Sequence, residues 1–271
     1  FALIAFLVHG ALADVHYVSP GMSVQDIVNS AAIGDTVILE DGTHIATVVL
    51  YGKDLTIGSQ YLLDGDTTHI AATIVRPDAA YPDTASCFVY AYGESLAGRL
   101  IGLTLAEGRG TPYFDGSADQ CGGGVYVAAT EFVPAGVTIE HCRIEACKAK
   151  IGGGIFAAGY GNPASVVLLD CIVSGCVAYN GGGGVFLYAG SMTANNCIFR
   201  HDSAAGLEQF GIGGAIFAQA YSQLSLDSCH ITACAGMEAA VWISNYTTGL
   251  VTNCLFDGNE ILYDLSTTVD L

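Results

Sequence analysis

A Gly-rich motif that returns about every 30 residues, a cysteine motif in step with it, and apolar runs of only three to five residues predict an all-β protein. The architecture they imply is a right-handed parallel β-helix solenoid, with three short strands per coil and a short N-terminal capping helix. The first motif reads Gly122-Gly-Gly-Val-Tyr126, Gly152-Gly-Gly-Ile-Phe156, Gly182-Gly-Gly-Val-Phe186, Gly213-Gly-Ala-Ile-Phe217 and, weakened, Ala239-Ala-Val-Trp242. The second reads Cys142-Arg-Ile144, Cys171-Ile-Val173, Cys197-Ile-Phe199, Cys229-His-Ile231 and Cys254-Leu-Phe256. A third apolar position, at Ile139, Leu168, Leu226 and Val251, precedes the cysteine in four of these five units. Each run alternates with period two and is punctuated by Gly, Asn, Asp or Ser, which describes a strand and not a helix. Such units are too short for a four-stranded propeller blade, and the signature of a leucine-rich horseshoe is absent.

In chain order, Phe1 to Ala13 is an apolar run ending in the small-x-small site Ala11-Leu12-Ala13. It reads as the remnant of a secretory signal, the alternative being an apolar first strand. A single β-helix domain is then expected over 14–271. Between Ser23 and Ala32 lies the one helical candidate, with Ser23 as N-cap and Val24, Ile27, Val28 and Ala31 on one face. It would cover the open end of the core. Short strands at Thr36-Val-Ile-Leu39, Leu55-Thr-Ile57, Thr73-Ile-Val75, Cys87-Phe-Val89 and Ile101 to Leu105 describe irregular coils to about residue 120. Regular coils follow over about 121–259, and 260–271 forms the C-terminal end.

These residues carry a resemblance. Tyr17-Val-Ser-Pro-Gly-Met-Ser-Val-Gln-Asp26, Gly34-Asp-Thr-Val-Ile38, Asp41-Gly-Thr43 and the Gly-Gly-Gly-Ile-Phe coils look like secreted bacterial right-handed β-helix repeat proteins of the pectin-lyase-like superfamily. Gly213-Gly-Ala-Ile216 and Phe256-Asp-Gly-Asn259 are also similar to the two short motifs of polymorphic outer-membrane proteins, which are adhesin-like. The resemblance runs from about Tyr17 to Asn259. It implies the fold and an exported, secreted or cell-surface location. It leaves the activity open, because the superfamily holds lyases, hydrolases and adhesins.

Eight basic against 26 acidic residues give a formal charge of −18. Without a Lys/Arg cluster to neutralise phosphates, nucleic acid is excluded as the expected partner. No segment after the first 13 residues has the roughly 20 apolar residues of a membrane span. An acidic polysaccharide would be repelled unless a cation such as Ca²⁺ bridged the two. No cofactor is expected, with Ca²⁺ as the one candidate, and a polysaccharide or cell-surface glycan is the expected partner.

Ten cysteines in an exported chain suggest disulfides, yet Cys142, Cys171, Cys197, Cys229 and Cys254 occupy one equivalent inward position, where free thiols pack well. A stacked ladder is expected. Cys147, Cys176 and Cys234 sit five residues later, where related coils commonly place a turn Asn; Asp202 and Asn259 stand there in the other two coils. A single bridge between Cys147 and Cys176 is compatible with the spacing.

An enzyme of this fold needs convergent outward chemistry. With the ladder cysteines inward, the cysteine face carries Arg143, Glu145, Ile172, Ser174, Ile198, Arg200, His230, Thr232, Leu255 and Asp257 outward. Its acids Glu145 and Asp257 stand four coils apart, roughly 19 Å at about 4.8 Å per coil, beyond the roughly 5–9.5 Å of a glycosidase pair. The best local acid–base set is Arg200, His201, Asp202, Glu208 and Asp227, around the insertion 201–210; a solvated loop explains it equally well. Asp64, Asp66, Asp115 and Asp119 are the candidates for holding a cation, although none matches a calcium-loop consensus. The histidines are scattered. Alternation places Tyr126, Phe156, Phe186, Phe217 and Trp242 outward as a stripe that could bind sugar faces, unless a bulge turns the rings in or a loop such as 130–136 covers them. The function expected is therefore an exported, non-catalytic, adhesin-like binding protein. The alternatives are a polysaccharide lyase or glycoside hydrolase and, third, a structural coat protein.

Overall fold

The computed structural model describes residues 13–78, 80, 85–113, 119–205 and 211–261. Residues 1–12, which include most of the expected signal remnant, fall outside them. Strands 15–18, 36–39 and 56–59 begin a nine-stranded sheet that ends with Thr248–Thr252. An eight-stranded sheet carries the cysteine motif, from Gly42–Ile45 to Leu255–Asp257, and a seven-stranded sheet carries the aromatic motif, from Val48–Val49 to Val241–Ile243. These three sheets are the three strands expected of each coil. A fourth sheet of two- to five-residue strands bridges the cysteine and aromatic sheets; Lys148–Ile151 and Val177–Gly181 belong to it. The architecture is a right-handed parallel β-helix.

Successive coils stack in register. Ile139, Leu168, Ala194, Leu226 and Val251 form one column, and Ile144, Val173, Phe199, Ile231 and Phe256 another. Period-two alternation sends these residues inward, so one apolar core runs along the axis with the ladder cysteines in it, Cys254 at its edge, while Val251 and Phe256 in the last of these coils are exposed. The Gly-rich motif has a steric reason. A Cβ on Gly183 would meet the Gly214 carbonyl oxygen at 2.2 Å, and one on Gly153 the Gly183 oxygen at 2.4 Å. At these positions coils touch backbone to backbone and leave no room for a Cβ, while the next position along the motif accepts Ala215.

The helix forms where expected, at Val24–Ser30, with the Asp26 N–H donating to Ser23 Oγ at 3.1 Å. Such a cap contributes about 1 kcal/mol. Val24 and Val28 are buried against the first coils. Lys53 Nζ closes the other end by donating to the carbonyls of Val28, Asn29 and Ala31 at 2.7–2.9 Å. Two further short helices, Tyr61–Asp64 and Thr68–Ala72, fill an insertion that the strand pattern did not show. All ten cysteines are free and nine are buried, so the Cys147–Cys176 bridge is not formed.

Candidate functional site

The aromatic column faces away from the axial core, as alternation requires: Val125, Val127, Ile155 and Ala157 point into the core while Tyr126 and Phe156 do not. Tyr126, Phe156, Phe186, Phe217 and Trp242 are in strict register. Tyr126 and Phe156 stack with centroids 5.5 Å apart, Phe156 and Phe186 at 5.7 Å, and Phe217 turns edge-on to Phe186. The open stripe, however, is not there. Tyr126, Phe156, Phe186 and Phe217 are only 3–8% exposed and form a second apolar core with Cys121, Ala128 and Ala158. The cover is not the 130–136 loop. Strands Thr111–Pro112 and Gln120–Cys121 pair antiparallel as a hairpin arm, and Tyr113 packs edge-on against Phe156 at 5.4 Å. Ile151 and Ile212 close the sides, and Trp242 is half-buried at the end.

The described members of the acid–base set do not converge. Arg200 lies outward on the cysteine sheet, its Nε 3.3 Å from Ser174 Oγ, and His201 is exposed at the following turn. Asp202 turns the opposite way and is wholly buried. Its Oδ1 accepts from Cys176 N–H at 2.8 Å, Oδ2 has no partner, and burial pushes its carboxyl well above the usual range. Asp227 belongs to the nine-stranded sheet, where Thr252 and Asn253 donate to it and hold its carboxyl below the usual range. Glu208 lies outside the described residues. Glu145 and Asp257 are confirmed in one column four coils apart.

Nor do the described cation candidates assemble. Asp64 accepts from Asp66 N–H and faces His69, Asp66 accepts from Thr68 N–H, and Asp119 is paired with Lys150. Asp115 is outside the described residues. Among the described residues no three His, Cys, Asp or Glu side chains are placed to hold a metal ion.

A different site emerges from the basic residues. Of eight, Lys53 caps the helix, while Arg76, Arg99 and Arg143 pair with Glu107, Glu140 and Glu145. Arg200 donates to Ser174 Oγ, and the other three, Arg109, Lys148 and Lys150, all line one open cavity of about 530 Å³ together with Gln120, Tyr179 and Asn180. In Lys148–Ile151 the alternation buries Ala149 and turns both lysines outward. The Lys148 N–H donates to Gly108 O, which seats Arg109 on the adjacent coil. Tyr179, on the next coil, is exposed beside them. Lys150 is partly neutralised by Asp119, whereas Arg109 and Lys148 have no acidic partner among the described residues. The groove thus presents cations, two amides and a tyrosine ring, which suits an anionic, hydroxyl-rich ligand. Sequence reading missed it because whole-chain charge hid it. The signal was Lys148-Ala-Lys150, the only close pair of basic residues in the chain.

Residues 123–269 match the family described as a right-handed β-helix region. No curated protein matches the chain. Similar solved structures include a pectin methylesterase in complex with a hexasaccharide, at 10% identity and TM-score 0.45, covering 88% of this chain and 80% of that one. A PL6 family alginate lyase is 12% identical with TM-score 0.43, covering 92% and 40%. The pectin methylesterase from Aspergillus niger is 12% identical with TM-score 0.32, covering 97% and 91%. Values this low carry no argument about the site.

Proposed function

The chain belongs to the right-handed β-helix family, and from that premise we propose that it is an exported, non-catalytic protein that binds acidic polysaccharide in the Arg109–Lys148–Lys150 groove. The observation that carries this reading is the gathering of three of the eight basic residues at one cavity of a chain with formal charge −18. A local cationic pocket in an otherwise repelling field selects ligands that reach it and disfavours loose contact elsewhere. Tyr179 supplies a rigid ring for a sugar face, and Gln120 and Asn180 supply donors and acceptors for hydroxyls. The absence of catalysis is inferred from the spacing of Glu145 and Asp257 and from the inward turn of Asp202.

Affinity electrophoresis and calorimetry on polygalacturonate and alginate fragments, over a range of salt, test the groove. Binding should weaken with salt, and Lys148→Ala/Lys150→Ala should lower affinity about tenfold, the equivalent of about 1.4 kcal/mol. Equal affinity in that variant defeats the assignment. Release of reducing ends or of ultraviolet-absorbing unsaturated sugars from either polymer would show an enzyme instead.

A further inference from the structure

An exposed aromatic ridge does exist, but along a different line of the solenoid. It lies at the turn that leads from the aromatic sheet into the nine-stranded sheet. There Tyr51, Tyr92, Phe132, Tyr160, Tyr221 and Tyr246 occur in six of the seven successive turns, each 54–82% exposed. In the seventh, Ala189 takes the turn and exposed Tyr188 immediately precedes it. Tyr221 and Tyr246, on adjacent coils, lie parallel with centroids 5.1 Å apart and 10° between planes; Tyr51 and Tyr92 are 5.2 Å apart. From Tyr51 to Tyr246 is six coil steps, roughly 29 Å at about 4.8 Å per step.

We propose that this ridge is a second binding surface, for an extended neutral polysaccharide. Three properties point there. Exposed large aromatics repeated at one turn are costly in water, and Tyr51, Tyr221 and Tyr246 also hold left-handed backbone, with φ of 50°, 64° and 60°. Bulky side chains avoid that region, and no Tyr, Phe or Trp occupies it elsewhere among the described residues. Polar residues or glycine flank most of the rings, as in Tyr51-Gly52, Tyr92-Gly93, Tyr160-Gly161-Asn162 and Asn245-Tyr246-Thr247, while Val133 and Pro134 follow Phe132. Flat rings with polar flanks match a chain of pyranoses, which offers apolar faces and hydroxyl edges. Finally, the ridge has no free cation. Lys53, at the first turn, is committed to the helix carbonyls, so an acidic polymer would meet only the repulsion of the whole chain while a neutral one meets none. The inference is independent of the basic groove.

Calorimetry and affinity electrophoresis with cellohexaose and chitohexaose test it, on the full chain and on Tyr221→Asn/Tyr246→Asn and Tyr51→Asn/Tyr92→Ala. Asparagine tolerates the left-handed backbone, so these variants should keep the parent's unfolding midpoint. At least one hexaose should bind, and each ridge variant should weaken that binding tenfold or more. Lys148→Ala/Lys150→Ala should leave it unchanged. With polygalacturonate the pattern should reverse, so the two readings fail separately. Failure of both hexaoses to bind, or binding untouched by the ridge variants, overturns the proposal. Self-association of the concentrated parent that the ridge variants abolish would make the ridge a protein contact and overturn it too.

Discussion

Asp202→Asn should stabilise the protein, and by an amount that depends on pH. In the ladder that follows the cysteine sheet, each side chain reaches back to a carbonyl of the preceding coil. Cys147 reaches Leu105 O, Cys176 reaches Ile144 O, Cys234 reaches Phe199 O, and Asn259 Nδ2 donates to Ile231 O at 2.9 Å. Register assigns Asp202 to the Val173 carbonyl. An ionised carboxylate there would set acceptor against acceptor; Oδ2 stands unpartnered, and burial raises the carboxyl well above the usual range. Asparagine keeps the bond from Cys176 N–H and adds a donor. The gain is one neutral hydrogen bond, about 1 kcal/mol, plus relief of one unsatisfied buried oxygen, about 1–3 kcal/mol. About 2 kcal/mol near pH 8 is expected, or about 5 °C in Tm. The sign with pH follows from the raised folded-state value: the folded chain binds the extra proton, so the parent loses stability as pH rises from the unfolded value of about 3.9 to the raised folded-state value, at up to about 1.4 kcal/mol per unit, and loses no more beyond it. The variant lacks this slope, and its advantage should shrink toward zero near pH 4. Urea unfolding followed by circular dichroism at several pH values checks both points, with Asp202→Ala expected to lose stability throughout. A gain equal at all pH values, or no gain near pH 8, refutes the reasoning.

Other consequences are simpler. Burial pushes the thiols of Cys142 and Cys234 up to about 12, so iodoacetamide near neutral pH should label Cys254 before any other cysteine, and all ten only in urea, as counted by intact mass. Phe156→Ala should cost about 3–5 kcal/mol as a core truncation; an open stripe would predict a loss of about 0.5 kcal/mol or less, and a denaturant midpoint separates the two. Hydrogen bonds from His16, and from the N–H groups of Asp14 and Ala32, lower Asp35 to about 2. Its stabilising contribution is therefore present above about pH 4 and lost as pH falls through about 2. Asp35→Asn should be less stable than the parent at neutral pH and converge with it in acid, as read by thermal melts across that range.

What could be read from the chain was whatever repeats. The Gly-rich and cysteine motifs gave coil length, strand direction and which residues face in, because one backbone geometry is imposed at each stacked position. Ser23, Asp26 and the Val24–Val28 face gave the cap by local chemistry alone. What could not be read lies in the parts that break the period. The hairpin over Phe156 rests on contacts from Tyr113, more than 40 residues away in sequence, and two-fold alternation cannot tell an outward ring in water from an outward ring under an arm. Asp202 was assigned to a charged loop by its neighbours Arg200 and His201, whereas its ladder position already carried the opposite message. The basic groove needed three coils to meet in space. The tyrosines of the ridge were spread over turns of unequal length, so no fixed spacing exposed them.

The glycine seam bears on how such a chain can change. Along that line neighbouring coils are separated by nothing compressible, so a methyl added to Gly183 would act as a wedge and tilt every coil beyond it. The turns on the opposite side carry no such constraint and already differ in length from coil to coil. The molecule therefore behaves as a stiff ruler whose graduations are fixed on one edge, while the other edge accepts new fittings. New binding chemistry can enter by lengthening a turn, as the helices at Tyr61–Asp64 and Thr68–Ala72 do, without disturbing the spacing of the coils along the shaft.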